Sequence, residues 1–481
     1  MKLLAPRIWI LSAATLALAA CVAPVPQPEN MEVGIPDQLP VLGTSNTDAP
    51  QLNPSDHWQQ FFTDPQLKQL IQQALDFNSD LKAATARVAE ARAIYGIQSS
   101  ERLPHIGAQG DGQRGRVPAD LSITQQAVTS GQYQVGLGVS AFELDFWGRV
   151  SSLSAAALAQ YLATEQARQA FEISLIAMTA DAYLQALELT QRVELAKKTV
   201  DSRTESQRIM AQRVRVGSSS DLELREVDSL LLTARSELAN LEREKAQNAA
   251  LIQQLTGYSG PLGESSTLAQ QQLERAITPD LPSTVLLQRP DIRAAEQQLL
   301  AARANVDAAR AAFFPRITLT GFAGTASSAL DGLFRGGSGA WTFMPQISLP
   351  IFDGGARESN LALAEARKHI AVANYESTIR TAFREVADGL AAHHWLAQQE
   401  KEQANLVRSE QDRARLAMIR YEQGSAPYLE VLDAQRSQFA AEQMLLQLQR
   451  ARLSNTVALY RALGGGVTPL SENHQSTSAA N

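Results

Sequence analysis

Cysteine is almost missing from this chain. Cys21 is the only one in 481 residues, so no internal disulfide can form. A basic excess is missing as well: 43 Lys and Arg stand against 50 Asp and Glu, a formal charge of −7. Without surplus positive charge to neutralise phosphates, the chain is not built to bind nucleic acid. Mean hydropathy is −0.18, too low for a polytopic helical membrane protein. At 44% hydrophobic and 19% charged residues the chain is nevertheless too apolar for disorder. Ligand-spaced histidines are lacking too, since the adjacent His393 and His394 would point to different faces of a helix, and no metal is expected. Asp145-Phe146-Trp147-Gly148 has no glycine loop or lysine to make it part of a kinase, and Gly336-Gly337-Ser338-Gly339 has no following lysine to make it a phosphate loop. Neither a cofactor nor catalysis is expected.

Lys2 and Arg7 precede an uncharged run, Ile8 to Ala20, that is too short for a permanent bilayer span and reads as a signal peptide over residues 1–20. Leu18-Ala19-Ala20-Cys21 then resembles the lipobox of bacterial lipoproteins, which implies cleavage before Cys21 and diacylglycerol on its sulfur. Val22 rather than Asp follows, and the same resemblance directs such a product to the outer membrane. Residues 21–54, rich in Pro, Gly, Gln and Asn with no period, read as an extended tether.

Punctuation is sparse beyond that point. No proline occurs between Pro118 and Pro261, and Gly217 is the only glycine between Gly148 and Gly257. The spacing predicts a helical hairpin with a first arm over about 149–215 and its tip at Gly217. Leu224, Leu231, Leu238 and Ile252 recur in heptad register with Val227, Ala234, Leu241 and Leu255, a lengthwise seam interrupted by Lys245 and Asn248. The second half copies the first. Asp80 to Ala84 returns as Asp291 to Ala295, Asp145 to Arg149 as Asp353 to Arg357, and Gly217-Ser218 as Gly424-Ser425. Even the seam polarity recurs, as Arg452 and Asn455. The chain therefore divides into a first repeat over 55–260, a second over 261–465 with a long arm over about 354–421, and a disordered tail over 466–481.

Between the helical parts the period changes to two. Tyr133 to Ala141 and Trp341 to Ile351 alternate large apolar residues with polar or small ones. With their weaker partners they predict two hairpins, strands 104–115 with 133–144 and 315–326 with 341–351. One apolar face, one polar face and aromatic residues near the ends suit an outer-membrane barrel. Four strands cannot close one, and open edges are not tolerated in lipid, so other copies must complete it. The alternative is a structural coiled-coil lipoprotein without a pore, which gives no reason for the alternating segments.

The lipobox, the duplicated half, the junctions Asp145 to Arg149 and Asp353 to Arg357, and the turns Arg213-Val214-Arg215-Val216-Gly217 and Arg420-Tyr421-Glu422-Gln423-Gly424 together resemble the outer membrane factors, the TolC and OprM family, and its NodT-like lipoprotein branch. The resemblance spans about 55–465. It implies a mainly α-helical fold with a membrane β-barrel: a homotrimer whose twelve-stranded barrel in the outer membrane continues as an α-helical barrel through the periplasm. It further implies an exit duct fed by an inner-membrane pump, usually proton-driven, through a periplasmic adaptor. Around the tips, Arg213, Gly217, Ser218, Arg420, Gly424 and Ser425 match residues that meet the adaptor. Tyr421, Leu429, Glu430, Asp433 and Arg436 match a periplasmic gate, with Leu429 an apolar constriction and Asp433 a carboxylate ring attracting cations. Ala426 replaces an arginine of the TolC closing network. Asp145 and Asp353 precede long helices and are expected to cap them, with Arg149 and Arg357 four residues on as pairing partners. Cargo identity is not written in the sequence, because a passive duct takes its selectivity from its pump.

Overall fold

The computed structural model describes residues 51–52, 57–123, 125–262, 266–271, 273, 276–277 and 283–466. Cys21, the signal segment and the tail from 467 on lie outside the described residues. In chain order the elements are β1 (Gln51–Leu52), α1 (Trp58–Phe61), α2 (Pro65–Phe77), α3 (Ser79–Ser100), β2 (Ile106–Val117), β3 (Val128–Glu143), α4 (Arg149–Arg215), α5 (Asp221–Thr256), β4 (Ala276–Ile277), α6 (Pro290–Ala311), β5 (Arg316–Ser327), β6 (Gly339–Ser348), α7 (Ala356–Glu422) and α8 (Tyr428–Ala462). Three short 3-10 turns accompany them, at Leu268–Gln270, Ser283–Gln288 and Leu330–Gly332. Among the described residues no helix is long and apolar enough to cross a membrane.

The two long arms have the same length, 67 residues each. At about 1.5 Å per residue each extends for roughly 100 Å. α4 packs along α5 and α7 along α8, while α6 lies against both arms near their upper halves and α8 also contacts α4. The seam asparagines anchor the hairpins identically. Asn248 Nδ2 donates to the carbonyl of Ala182 at 3.0 Å, and Asn455 Nδ2 to that of Gly389 at 2.9 Å. Gly389 is needed for this closeness, since a Cβ there would sit 2.5 Å from Leu459 Cδ2. A second equivalent pair ties the shorter helices to the hairpin ends: Asn78 Nδ2 donates to Leu255 O at 3.4 Å and Arg289 Nη1 to Ala462 O at 2.8 Å. The asparagine interruptions of the seams are thus cross-helix bonds.

Within the expected tether, Gln51–Leu52 pairs in parallel with Ala276–Ile277. Its two residues are too few for any period to show. Downstream, Asp64 caps α2, accepting from Gln66 N at 2.8 Å and Leu67 N at 3.2 Å. The Phe61 ring stacks on Tyr460 with centroids 4.3 Å apart.

The main sheet is antiparallel in the order β2-β3-β5-β6, leaving β2 and β6 as open edges. β3 begins five residues before its expected start and β6 ends three residues before its expected end. The hairpins share one register under the repeat: Ile106 faces Val139 and Ile317 faces Ile347. Tyr133, Val135, Leu137, Val139, Ile317, Leu319, Trp341, Phe343 and Ile347 share one face by this register. Gln109, Asp111, Gln113, Gln134, Thr318, Thr342 and Gln346 share the other. A bulge between Val139 and Phe142 puts Ala141 at φ 50°, with its N–H donating to Thr320 Oγ1 at 3.2 Å. Such a bulge turns the strand end toward the helices.

Candidate functional site at the helical tips

Both tips are built from the same backbone bonds. Gly217, at φ 75°, donates to Val214 O at 3.0 Å while Ser218 N donates to Arg213 O at 2.8 Å. Gly424, at φ 72°, donates to Tyr421 O and Ser425 N to Arg420 O, both at 2.9 Å. This is the paired bonding of a Schellman motif, which requires a left-handed residue that glycine adopts without strain. The Ser218 and Ser425 hydroxyls donate back to the carbonyls of Arg213 and Arg420, so they lock the turns. The following helices start differently. Ser220 and Glu223 form a reciprocal capping box on α5, whereas Pro427 precedes α8.

Just above the tips the four long helices share an apolar cluster of Met210, Val227, Ala414, Ala417, Tyr428, Val431, Leu432 and Ala434. Tyr421 packs against it, its ring 4.8 Å from that of Tyr428. Arg213 is not free beside its tip: its guanidinium lies 5.2 Å from the Tyr421 ring centre and Nη1 donates to the Tyr421 hydroxyl, joining the first tip to the second. Arg420 likewise reaches across its own turn to Glu430 at 2.5 Å.

Asp433 is held from two helices. Its Oδ2 accepts from Arg413 Nη2 of α7 at 2.5 Å and its Oδ1 from Arg436 Nη2 of α8 at 2.6 Å. Arg413 also meets Glu410 at 3.2 Å, and bonding first to Asp433 and then to Glu410 holds its guanidinium above its ordinary pKa. In this arrangement the Asp433 carboxylate lies between two guanidinium groups, one from each helix of the hairpin. Leu429, 55% exposed, stands one turn away and lines an open groove of about 360 Å³ with Leu230, Leu432, Glu226, Ser229, Asp433 and Arg436. Arg203 of α4 is buried beside it, donating to Leu230 O at 2.7 Å; burial, with Arg436 nearby, lowers its pKa. Sequence reasoning missed Arg413 and Arg203. Arg413 was findable, because a hairpin turning at Gly424 brings residues about ten before it opposite residues about ten after it. Arg203 gave no signal.

At the other end of the arms the junctions carry structure. Asp145 accepts from Val150 N at 3.1 Å and Ser151 N at 2.7 Å, and Asp353 from Gly355 N and Arg357 N, both at 3.1 Å. Arg357 pairs with Asp353 at 2.6 Å, and this bond chiefly holds the carboxyl below its usual range. Arg149 does not pair with Asp145. Its guanidinium forks onto Glu143 at 2.9 and 2.7 Å, and Arg316 adds a third bond at 2.6 Å, tying β3, α4 and β5 together. The i,i+4 pairing gives way here because Glu143 takes Arg149; the equivalent position in the second repeat is Ile351, which offers Arg357 no such competitor. Among the described residues no cluster of His, Cys, Asp and Glu is placed to hold a metal ion.

The chain matches the family model described as outer membrane efflux protein over residues 70–258 and 281–465, one stretch in each repeat. It is 46% identical over 409 residues to the solvent efflux pump outer membrane protein SrpC of Pseudomonas putida, covering 85% of this chain and 87% of that one. To the outer membrane protein OprJ of Pseudomonas aeruginosa it is 44% identical over 411 residues, covering 85% and 86%. The crystal structure of the open state of the Neisseria gonorrhoeae MtrE outer membrane channel superposes with a TM-score of 0.80 at 35% identity, covering 92% of this chain and 98% of that one. A spacer without a pore has no place in this company. Duplicated helical arms joined to an incomplete, two-faced sheet are the parts of an outer-membrane duct rather than an enzyme, and the chain belongs to the outer membrane efflux protein family.

Proposed function

We propose that this duct is closed at its periplasmic end by the second hairpin, with Asp433 as the fastening point and Leu429 as the apolar constriction. The reading is carried by the two-helix clamp on Asp433, from Arg413 on α7 and Arg436 on α8, with Arg420 and Glu430 fastening the same hairpin nearer its tip. Both clamp arginines are about half exposed or more. Each bond is individually weak in water, which suits contacts that must release. Opening separates α7 from α8 at the level of Tyr421, whose link to Arg213 makes the first hairpin move with the second. The tips around Gly217 and Gly424 receive a periplasmic adaptor, and a proton-driven inner-membrane pump supplies the cargo. Cys21 carries the lipid that holds the tether to the membrane. Cargo selection lies with the pump, and relatives named for solvent and toluene efflux support passage of apolar compounds through such a duct.

Single-channel conductance of the purified trimer in planar bilayers tests the gate. The wild type is expected to open rarely, and Asp433→Ala/Arg436→Ala to open more often and to a larger conductance, with Arg413→Ala following the same direction. Identical traces from wild type and variants, with trimers intact, would remove the clamp from the gate.

A further inference from the structure

The apolar face of the sheet carries an anomaly. In the register of β2, β3, β5 and β6, the positions sharing a face with Tyr133, Leu137 and Trp341 are apolar, small or hydroxylated with two exceptions, Arg114 and Arg116. Both are exposed, and neither has a hydrogen-bond or ion-pair partner among the described residues. No carboxylate occupies that face of the four strands. This is the surface an outer-membrane barrel turns toward lipid, where arginine is costly at mid-depth and tolerated only near an interface. The two arginines meet that condition. They occupy the last part of β2, which ends at Val117, on the side of the sheet away from the helices.

The surroundings leave the guanidinium groups free to point outward. Arg114 faces Gly131 and Arg116 faces Thr129 across the ladder, so no large side chain of β3 covers them. The Tyr133 ring lies flat along the adjoining glycines: a Cβ at Gly112 would come within 3.0 Å of it and one at Gly131 within 3.1 Å. An amphipathic ring of this kind settles at the head-group level of a membrane. Residues two apart on a strand stand about 7 Å apart on one face. That is a spacing at which two planar, five-donor groups grip neighbouring phosphate oxygens.

We propose that Arg114 and Arg116 form a binding site for the phosphorylated head group of a lipid in the outer leaflet, with Tyr133 as its apolar border. The site rests on the barrel assignment and adds a ligand to it. It lies on the outside of the wall and takes no part in passage through the duct. One chain supplies one site, so the closed barrel carries one per copy.

Native mass spectrometry of the full-length protein in detergent, titrated with diphosphoryl lipid A or with the same lipid stripped of phosphate, tests the assignment. The wild type is expected to retain the phosphorylated lipid in preference to the stripped one. R114Q/R116Q is expected to bind it about 30-fold more weakly, the loss anticipated for two basic residues at an anionic lipid surface. R114K/R116K, which keeps the charge, retains most of the affinity. Equal retention of both lipids by the wild type, or undiminished binding by R114Q/R116Q, would overturn the proposal. So would displacement of the lipid by millimolar inorganic phosphate, which would indicate a site for the free anion. The same spectra report the assembly state, so a failure of the barrel itself is read separately. Should R114Q/R116Q not assemble, the lysine variant and the wild-type lipid comparison decide the matter.

Discussion

The repeat predicts how the sheet pairs at a seam between copies. β2 and β5 are related by a shift of 211 residues and β3 and β6 by 208, as the matching of Ile106–Val139 with Ile317–Ile347 requires. Within one chain β3 pairs with β5, the second strand of one repeat with the first strand of the other. Continuing that rule, β6 pairs with β2 of the next copy. The observed Gly136–Gly324 pair then maps onto Met344 facing Gln113 of the partner subunit, and Tyr133–Ser327 onto Trp341 facing Arg116 of the partner subunit. Opposed residues have Cα atoms about 4.5–5.5 Å apart, within the roughly 4.4–6.8 Å that a disulfide spans. A slip of two residues moves the pair onto the diagonal at about 7–8 Å, and a slip of one sends the side chains to opposite faces. Met344→Cys with Gln113→Cys in the same chain is therefore expected to form covalent trimers under mild oxidation, read on a non-reducing gel. The two positions lie on opposite edges of one sheet, so a bond within a chain is excluded. Met344→Cys with Gly115→Cys is expected to cross-link poorly. If this shifted pair closes as well as the first, the repeat does not govern the seam and the reasoning fails.

Two further perturbations probe the helical part. Burial is the largest influence on the Asp64 carboxyl and pushes its pKa up, but bonds from Gln271, Leu67 N–H, Tyr183 and Ser266 outweigh it and leave it below the ordinary value. Its stabilisation is thus complete above the unfolded carboxylate pKa of about 3.9 and is lost as pH falls through the lower folded value. Asp64→Ala should cost about 1–2 kcal/mol at neutral pH, mainly from the lost cap, since Tyr183 keeps Gln66 and Gln271 keeps Ser266 as partners, and should flatten acid unfolding below about pH 4; unchanged acid sensitivity counts against Asp64 as the titrating group. Asn248→Ala and Asn455→Ala each remove a cross-seam bond to a mid-helix carbonyl that keeps its own helical partner, for about 1 kcal/mol. Asn248 is the more buried, at 5% exposure, so its loss should lower the thermal midpoint further, and the reverse order would show that the bonds are not the source of the effect.

The elements set by long-range regularity were readable in advance. Glycine and proline are so rare across 149–215 that the arm's ends coincide with Gly148 and Gly217, and both second-repeat elements follow by translation. The β2 strand, poor in large residues, is only weakly patterned and is legible chiefly as the partner of the alternating segment that follows it. What stayed hidden depends on side-chain reach. Glu143 occupies the last position of β3 beyond a bulge, and no spacing rule connects it to Arg149 or Arg316. Arg413 and Asp433 are joined only by the register in which α7 and α8 pack, and the pairing of Gln51–Leu52 with Ala276–Ile277 involves too few residues to leave a pattern.

The equality of the two long arms has a consequence for how such a chain can vary. Both begin directly below the sheet and both end in the same glycine turn, so they act as matched gauges of a single distance. Removing two helical turns from α4 and α5 alone would retract one tip by roughly 10 Å and leave Arg213 without Tyr421. Length changes are therefore admissible only when written twice, once in each half, and in whole multiples of the seam repeat. A duct of this design spans a wider or narrower gap only by coordinated edits at four places in its gene.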